Sequence, residues 1–224
     1  MTAPKTHHAL LFDLDGTLLH SDPLHEQAFT DLLRGYGVQL APGDYLRFIH
    51  GRENAAIFAD LLPDEDARAL SLRKETMFRD NLGDWATPTA GLLALLDRAA
   101  REGWATAVVT NAPRINAEAM LAALDLTDRF NTLVIGEECR AGKPDPAPYL
   151  TALDRLDADP ARSLAFEDSP SGIRAARGAN LFTYGLRTSL SHDQLMQAGA
   201  SASLADFTDP ALLDPLSRLQ GATV

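Results

Sequence analysis

The sequence is poor in the features that mark secreted and membrane proteins. Among its 224 residues there is one cysteine, Cys139, so no disulfide can form within the chain. A single cysteine suits a reducing compartment, and we expect a cytoplasmic location. No stretch of 18 uncharged apolar residues occurs, and acidic residues soon interrupt the first apolar run. Neither a membrane span nor a signal peptide is therefore expected.

Positive charge is also scarce. The chain has 20 Lys and Arg residues against 31 Asp and Glu residues, which gives a formal net charge of −11. Nucleic acids and anionic membranes bind to broad basic faces, so neither is expected as a partner. An anionic small molecule would need a local basic pocket. With 46% hydrophobic and 23% charged residues, the chain has the composition of a globular protein. Separately from composition, we expect a monomer or weak homodimer.

Short apolar runs alternate with helix-period segments along most of the chain. The runs that indicate buried strands are ALLFD, ATAVVT, NTLVIG, SLAFED and NLFTYG. One segment places Leu92, Leu95, Leu96 and Ala99 on a single helical stripe, and further helices are predicted in INAEAMLAALDL and in PSGIRAARGAN, which ends at Gly178. This alternation predicts an α/β fold with a Rossmann-like parallel sheet core and helices on both faces.

The residues from Asp22 to about Trp85 follow a different pattern. Four amphipathic stretches occur there with no strand between them: LHEQAFTDLLRGYG, PGDYLRFIHG, NAAIFADLL and DEDARALSLRKETMF. They predict an inserted α-helical cap subdomain over 21–87, with the α/β core formed by 1–20 and 88–224. Proline and the residue before it both resist helix, so Asp22-Pro23 and Thr87-Pro88 are the expected hinges.

Two carboxylates lie where the first predicted strand runs into a turn. Asp13 and Asp15 are two residues apart, and in extended chain such residues project to the same side. Gly16 follows them and allows the backbone to turn sharply and approach a ligand. Taken alone, this segment is also a common kind of turn, in which aspartate and glycine make local hydrogen bonds.

Three more polar positions follow predicted strands. Thr110 ends ATAVVT, Lys143 lies in AGKPDP, and the pair Glu167-Asp168 follows SLAF. Each has an ordinary explanation as a helix cap or a solvated charge. However, the carboxyl ends of parallel strands meet at one edge of a sheet, where ligands of such folds bind. The sequence therefore predicts that these residues converge with Asp13 and Asp15 on one site.

Four motifs in this order, FDLDGTL, VVTN, GKPDP and FEDSPSGIRAA, resemble those of the haloacid dehalogenase-like superfamily. The resemblance covers essentially the whole chain. The helical insert after the first motif resembles the cap of the subgroup that contains phosphoglycolate phosphatases, sugar-phosphate phosphatases and β-phosphoglucomutase. The resemblance implies a phosphoric monoester hydrolase that uses Mg²⁺ to hydrolyse a small phosphorylated metabolite of the sugar phosphate or phosphoglycolate type.

The resemblance also implies a role for each core residue. Asp13 would be the nucleophile that forms an aspartyl phosphate, and Asp15 would protonate the leaving alcohol and then activate water. Thr110 and Lys143 would face the charge on the phosphoryl oxygens. The implied metal ligands are Asp13, Glu167, Asp168 and the backbone carbonyl of Asp15, all with oxygen atoms that suit Mg²⁺.

Substrate contacts are expected from two parts of the chain. In the core, Asn111 and the backbone around Gly16 would hold phosphate oxygens, with a contribution from Arg114. In the cap, which would select the substrate and exclude water, the candidates are His25, Arg52 and Lys74. Each of these charged side chains has an ordinary surface role as an equal alternative.

Three alternatives to a phosphatase stay open. A β-phosphoglucomutase-like phosphomutase is favoured by His25 and Lys74, which match the positions of cap residues in such mutases. The segments around Arg52 and Asn111 depart from the mutase pattern. A haloacid dehalogenase needs neither a second aspartate nor magnesium, so Asp15 and Asp168 count against it. A non-catalytic binding protein would have no need of the full motif set.

Overall fold

The computed structural model describes residues 7–49, 52–83 and 86–213. These residues form two compact units. One comprises the described residues up to His20 and from Thr87 onward, and the other is formed between Ser21 and Ala86. Trp85, His50 and Gly51, which belong to predicted parts of the helical insert, lie outside the described residues. None of the described helices is long and apolar enough to cross a membrane.

The first unit is built on a six-stranded sheet in which every neighbouring pair is parallel. The strands are β1 (His7–Phe12), β2 (Ala105–Thr110), β3 (Thr132–Ile135), β4 (Ala158–Glu167), β5 (Phe182–Leu186) and β6 (Ala202–Leu204). Their order across the sheet is β3-β2-β1-β4-β5-β6. The first strand of the chain is therefore central, and the predicted parallel α/β fold is confirmed.

The register brings the carboxyl ends of the three central strands together. Phe12, the last residue of β1, is level with Val108 in β2 and with Phe166 in β4. The amide of Asp13 donates to the carbonyl of Phe166 at 2.9 Å and extends this pairing by one residue. The residues that follow β1, β2 and β4 therefore leave the sheet at one edge.

Helices alternate with these strands, as the periodicity predicts. They are α4 (Leu92–Glu102), α5 (Arg114–Ala123), α6 (Ala147–Arg155), α7 (Pro170–Gly178) and α8 (His192–Ala198). In α4 the buried residues are Leu92, Leu95, Leu96 and Ala99, which is the predicted stripe. The predicted end of α7 at Gly178 is also confirmed. The helix α6 and the short elements α8 and β6 were not predicted.

Alternate residues of the central strands pack on opposite faces of the sheet. On one face, Leu11 and Val109 belong to a buried cluster with residues of α6 and α7. On the other face, the ring of Phe12 stacks on that of Phe166 with 4.9 Å between centroids, and Phe207 meets both rings edge-on. Both faces of the central strands are thus covered, which accounts for their continuously apolar sequence.

All regular secondary structure among the described residues of the second unit is helical. It contains α1 (Asp22–Arg34), one turn of π-helix (Tyr45–Ile49), α2 (Asn54–Leu61) and α3 (Ala67–Asp80). The side chain of Asp66 caps α3 by accepting hydrogen bonds from the amides of Arg68 and Ala69. The unit has an apolar core of its own, which includes Phe29, Leu33, Ile57, Phe58 and Leu70.

Candidate active site

A buried ion-pair cluster lies at the carboxyl edge of the sheet. Lys143 Nζ donates to Asp13 Oδ1 at 2.5 Å and to Glu167 Oε1 at 2.6 Å. Asp13 follows β1 and Glu167 ends β4, so their pairing is a direct consequence of the register of these strands. The side chains of Lys143 and Glu167 are 3% and 0% exposed. One ammonium group therefore contacts two carboxylates, and these belong to residues more than half the chain length apart in the sequence.

Burial and charge act against each other in this cluster. Burial raises the pKa of Asp13 to about 8, although the Lys143 ammonium opposes this shift. Burial alone would lower the pKa of Lys143, but attraction to Asp13 and Glu167 outweighs it and raises that pKa above its ordinary value. Lys143 is therefore the fixed cation of the site, and additional positive charge would favour the ionised form of Asp13.

Asp168 adds a third carboxylate. Asp13, Glu167 and Asp168 each offer an oxygen atom, and these atoms all lie within 4.8 Å of one another. When Asp13 is ionised, three carboxylates opposed by one ammonium leave an excess of negative charge, which would repel a phosphate dianion unless a further cation were bound. Carboxylate oxygens are the ligands that Mg²⁺ prefers, so the donor set fits this ion.

Gly16 makes room for Asp168. Its φ of +70° is in the left-handed region, and a methyl group on its Cα would lie 2.0 Å from Asp168 Oδ2. The position therefore excludes any other side chain for two reasons, backbone conformation and space. Asp15, the preceding residue, is half-buried and forms an isolated bridge with Leu19. The turn after β1 thus brings Gly16 against the Asp168 carboxylate. Asp15 is the preceding residue in the sequence.

The residues after β2 have hydrogen-bond partners within the protein. Thr110 is 1% exposed, and its Oγ1 accepts from the amide of Ala112 at 2.9 Å. The side chain of Asn111 donates from Nδ2 to the carbonyl of Lys143 and accepts at Oδ1 from the Lys143 amide, both at 3.0 Å. The structure therefore brings Thr110 and Asn111 to the same edge as Asp13. Their contacts with phosphate oxygens stay a prediction.

Comparison with known proteins agrees with this geometry. Residues 10–186 match the model of the haloacid dehalogenase-like hydrolase family, which is most of the chain. The chain belongs to this family. It is 34% identical to validoxylamine A 7'-phosphate phosphatase of Streptomyces hygroscopicus subsp. limoneus over 89% of this chain and 93% of that protein. It is 32% identical to the phosphorylated carbohydrates phosphatase of Thermotoga maritima, over 87% and 92% of the two chains.

Solved structures show the same relationship. A mutant of CbbY from Rhodobacter sphaeroides in complex with xylulose-(1,5)bisphosphate superimposes on the hydrolase with a TM-score of 0.76. The sequences are 26% identical, and the match covers 90% of this chain and 95% of that one. Residues outside the match amount to a tenth of the chain, so the match includes residues of both the sheet-containing unit and the helical unit.

Two site residues of the hydrolase were not found from the sequence. Tyr149 is fully buried in α6, and its hydroxyl donates to Glu167 Oε1 at 2.6 Å. Thr188 follows β5, and its hydroxyl donates to the carbonyl of Gly16 at 2.5 Å. The position of Thr188 after a predicted strand was a usable signal. Tyr149 has no such signal, because an aromatic residue on a helix is normally part of the apolar core.

The helical unit of the hydrolase contains a second polar cluster. Lys74 is 2% exposed, and its Nζ lies 2.6 Å from His25 Nδ1 and 2.9 Å from Glu75 Oε1. The His25 ring stacks on Phe78, with 4.1 Å between centroids. The structure therefore brings together two of the predicted substrate residues, His25 and Lys74. Their contact with substrate stays a prediction.

The two predicted arginines lie in ion pairs at the surface. Arg52 donates to Asp60 Oδ2 and to the carbonyl of Phe48. Arg114 makes a two-pronged contact with Glu138, at 2.5 and 2.7 Å, and a third contact with Glu118. These hydrogen bonds raise the pKa of Arg114 further above its ordinary value. Each arginine would have to exchange these partners to bind a substrate, so their role also stays a prediction.

Proposed function

We propose that this hydrolase is a phosphatase that releases inorganic phosphate from a small phosphorylated metabolite, with Mg²⁺ as cofactor and an aspartyl phosphate as intermediate. The observation that carries the proposal is the buried cluster in which Lys143 contacts Asp13 and Glu167. The proposed nucleophile, a fixed cation and oxygen donors for a metal all lie at one edge of the sheet. Catalysis of phosphoryl transfer depends mainly on positioning of the reacting groups and on positive charge that stabilises the transition state.

Asp13 carries the covalent step. One of its carboxylate oxygens forms a bond to phosphorus while the ester bond between phosphorus and the leaving oxygen breaks. The leaving oxygen takes a proton from Asp15, whose backbone position two residues after Asp13 puts both carboxyl groups on one turn. Asp15 then removes a proton from water, which attacks phosphorus, breaks the bond to Asp13 and releases phosphate. Lys143 stays protonated throughout.

The metal site is proposed at the side chains of Asp13, Glu167 and Asp168 and at the backbone carbonyl of Asp15. The three carboxylates lie close enough to share one ion. A bound Mg²⁺ would supply positive charge to the phosphoryl oxygens. The same charge would favour the ionised form of Asp13, whose pKa burial raises to about 8. A bound ion would therefore make the nucleophile reactive and would allow an anionic substrate to bind.

The proposed substrate class is a phosphorylated sugar or a sugar-like alcohol, with phosphoglycolate as the smaller alternative. Two relatives that match nearly the whole chain bear the names of phosphatases for such compounds. The solved relative holds a sugar bisphosphate. A pentose or hexose monophosphate presents hydroxyl groups, which suit the neutral and charged hydrogen-bonding side chains proposed for substrate recognition.

A phosphomutase is the second candidate, because His25 and Lys74 lie together as a polar pair within the helical unit. In a mutase the phosphoryl group on Asp13 passes to a sugar hydroxyl instead of to water. We favour the phosphatase since the segments around Arg52 and Asn111 depart from the mutase pattern.

The test is a panel of sugar phosphates, phosphoglycolate and p-nitrophenyl phosphate, assayed for free phosphate with Mg²⁺ and with chelator. We expect release that requires Mg²⁺, is fastest with a sugar phosphate and is absent in Asp13→Asn. β-Glucose 1-phosphate with a trace of β-glucose 1,6-bisphosphate forms a separate arm. Isomerisation to glucose 6-phosphate that far outpaces phosphate release would favour the mutase, and full activity in chelator would contradict the metal-dependent mechanism.

A further inference from the structure

Tyr149 and Lys143 donate to the same carboxylate oxygen. The Tyr149 hydroxyl and the Lys143 ammonium both lie 2.6 Å from Glu167 Oε1. All three side chains are buried, and Glu167 is 0% exposed. A buried carboxylate is costly unless its lone pairs are satisfied, so each donor has a large share in fixing it.

The position of Glu167 is defined on its other side as well. The hydroxyl of Ser169 donates to Glu167 Oε2 at 3.3 Å. Gly172 packs against the same group, and a methyl on its Cα would lie about 2 Å from both carboxylate oxygens. The Glu167 carboxylate is thus tightly packed between β4 and α7. Tyr149 contacts it from α6.

The position of Lys143 Nζ depends on this arrangement. A lysine side chain is long and flexible, and its three N–H donors have no fixed direction. The position of Nζ is therefore determined only by its hydrogen-bond acceptors. The two acceptors given by the structure are Asp13 Oδ1 and Glu167 Oε1. The ring of Tyr149 provides one further contact, with Nζ 5.4 Å from its centroid.

We propose that Tyr149 is a positioning residue, which acts through Glu167 to hold the Lys143 ammonium against the Asp13 nucleophile. This inference rests on the proposed phosphatase function. Without the hydroxyl, Glu167 Oε1 would have Lys143 as its sole donor among these groups and would draw the ammonium toward itself. Nζ would then move away from Asp13. A phenol keeps its proton at neutral pH, so the Tyr149 hydroxyl stays a donor.

The test compares the same deletion in two buried tyrosines. Tyr149→Phe removes the hydroxyl next to Glu167. Tyr184→Phe is the matched control, because Tyr184 is 1% exposed in β5 and its hydroxyl donates to the carbonyl of Ala211 instead. With p-nitrophenyl phosphate and Mg²⁺, we expect kcat of Tyr149→Phe to fall about 10- to 100-fold, as is usual for partners that orient ligating or catalytic groups. Its KM and the kcat of Tyr184→Phe should stay at the wild-type values.

A crystal structure of Tyr149→Phe provides the second measurement. We expect the distance from Lys143 Nζ to Asp13 Oδ1 to exceed hydrogen-bonding range, while the backbone stays in place. An unmoved ammonium, a loss confined to KM, an equal loss in Tyr184→Phe, or a Tyr149→Phe protein that does not fold would each overturn the proposal. If the wild-type protein releases no phosphate from any ester, the proposed function fails instead, and the crystal structure still decides whether Tyr149 holds Lys143.

Discussion

The carboxamide of Asn111 is paired with both polar atoms of the Lys143 main chain. Asn111 Nδ2 donates to the Lys143 carbonyl and Asn111 Oδ1 accepts from the Lys143 amide, each at 3.0 Å. The loop after β2 therefore fixes the backbone of the residue whose ammonium contacts Asp13. This arrangement leads us to expect that Asn111 influences the reaction through Lys143, in addition to any contact with substrate.

Asn111→Ala should lower kcat by about tenfold, because the Lys143 backbone loses two hydrogen bonds that hold its side chain in register. Asn131→Ala is a matched control, since Asn131 Oδ1 accepts from both the amide and the hydroxyl of Thr106 at the opposite end of β2. Steady-state kinetics and melting curves on both variants check this. A similar melting loss in the two variants with no fall in kcat for Asn111→Ala would refute the positional role.

Asp13→Asn should abolish turnover and leave the fold intact, because the amide is nearly isosteric but is a poor nucleophile toward phosphorus. Since burial of the ionised carboxylate is unfavourable, the melting temperature should be unchanged or higher. Asp97→Asn removes a charge from a surface ion pair with Arg129 and serves as control. Residual activity of Asp13→Asn above about one part in a thousand would be incompatible with a covalent role for Asp13.

Gly16→Ala should raise the Mg²⁺ concentration needed for half-maximal activity by about tenfold or more, because the added methyl would displace Asp168. The control is Gly103→Ala. Gly103 has the same φ of +70° and open space around its Cα, so both variants lose about 1 kcal/mol to backbone strain. Titration with Mg²⁺, followed by activity and by calorimetry, separates the two effects. Equal Mg²⁺ requirements would show that Asp168 tolerates the displacement.

Glu75→Gln should destabilise the helical unit in a pH-dependent way. Burial alone would raise the pKa of Glu75, but attraction and hydrogen bonding to Lys74 outweigh it and lower that pKa below the ordinary 4.5. A carboxylate with a depressed pKa stabilises the fold above its ordinary pKa, and this stabilisation is lost as pH falls through the folded value. Breaking the pair at neutral pH should cost about 3 kcal/mol, since Lys74 is buried.

The measurement for Glu75→Gln is the free energy of unfolding in urea at neutral pH and at several values below 4.5. The difference from wild type should shrink steadily in acid, because both proteins then lack the charge. Glu65→Gln, at an exposed position, should match wild type throughout. A constant difference for Glu75→Gln across this range would mean that packing, and not charge, is responsible.

Sequence periodicity was sufficient for the elements that carry their own pattern. The stripe of α4 and the apolar runs of the central strands each repeat within a few residues, so local sequence indicates both their type and their buried face. The strand β6 has only the three residues Ala202–Leu204 and is too short for such a pattern. Its structure depends on pairing with β5, which local sequence does not show.

The candidate site, like the fold, was predictable from the sequence only in part. The parallel sheet made the convergence of strand-end residues predictable, and Asp13, Lys143 and Glu167 do meet. The identity of the partners was not predictable. Tyr149 is 18 residues from Glu167, and Asn111 is 32 residues from Lys143, so neither pairing follows from spacing. These contacts depend on how helices and loops cross the edge, which only the folded chain specifies.

The central position of β1 has a consequence for synthesis of the protein. Ala9 pairs with Ala105 on one side and with Ser163 on the other, so β1 is synthesised before both of its neighbours in the sheet. The helical unit, with an apolar core of its own, is complete before either partner exists. Ser163 lies about 150 residues after Ala9, and at ordinary translation rates this delay corresponds to about 8 to 30 s. During that time the apolar residues of β1 lack their sheet partners, and the insert lengthens this interval.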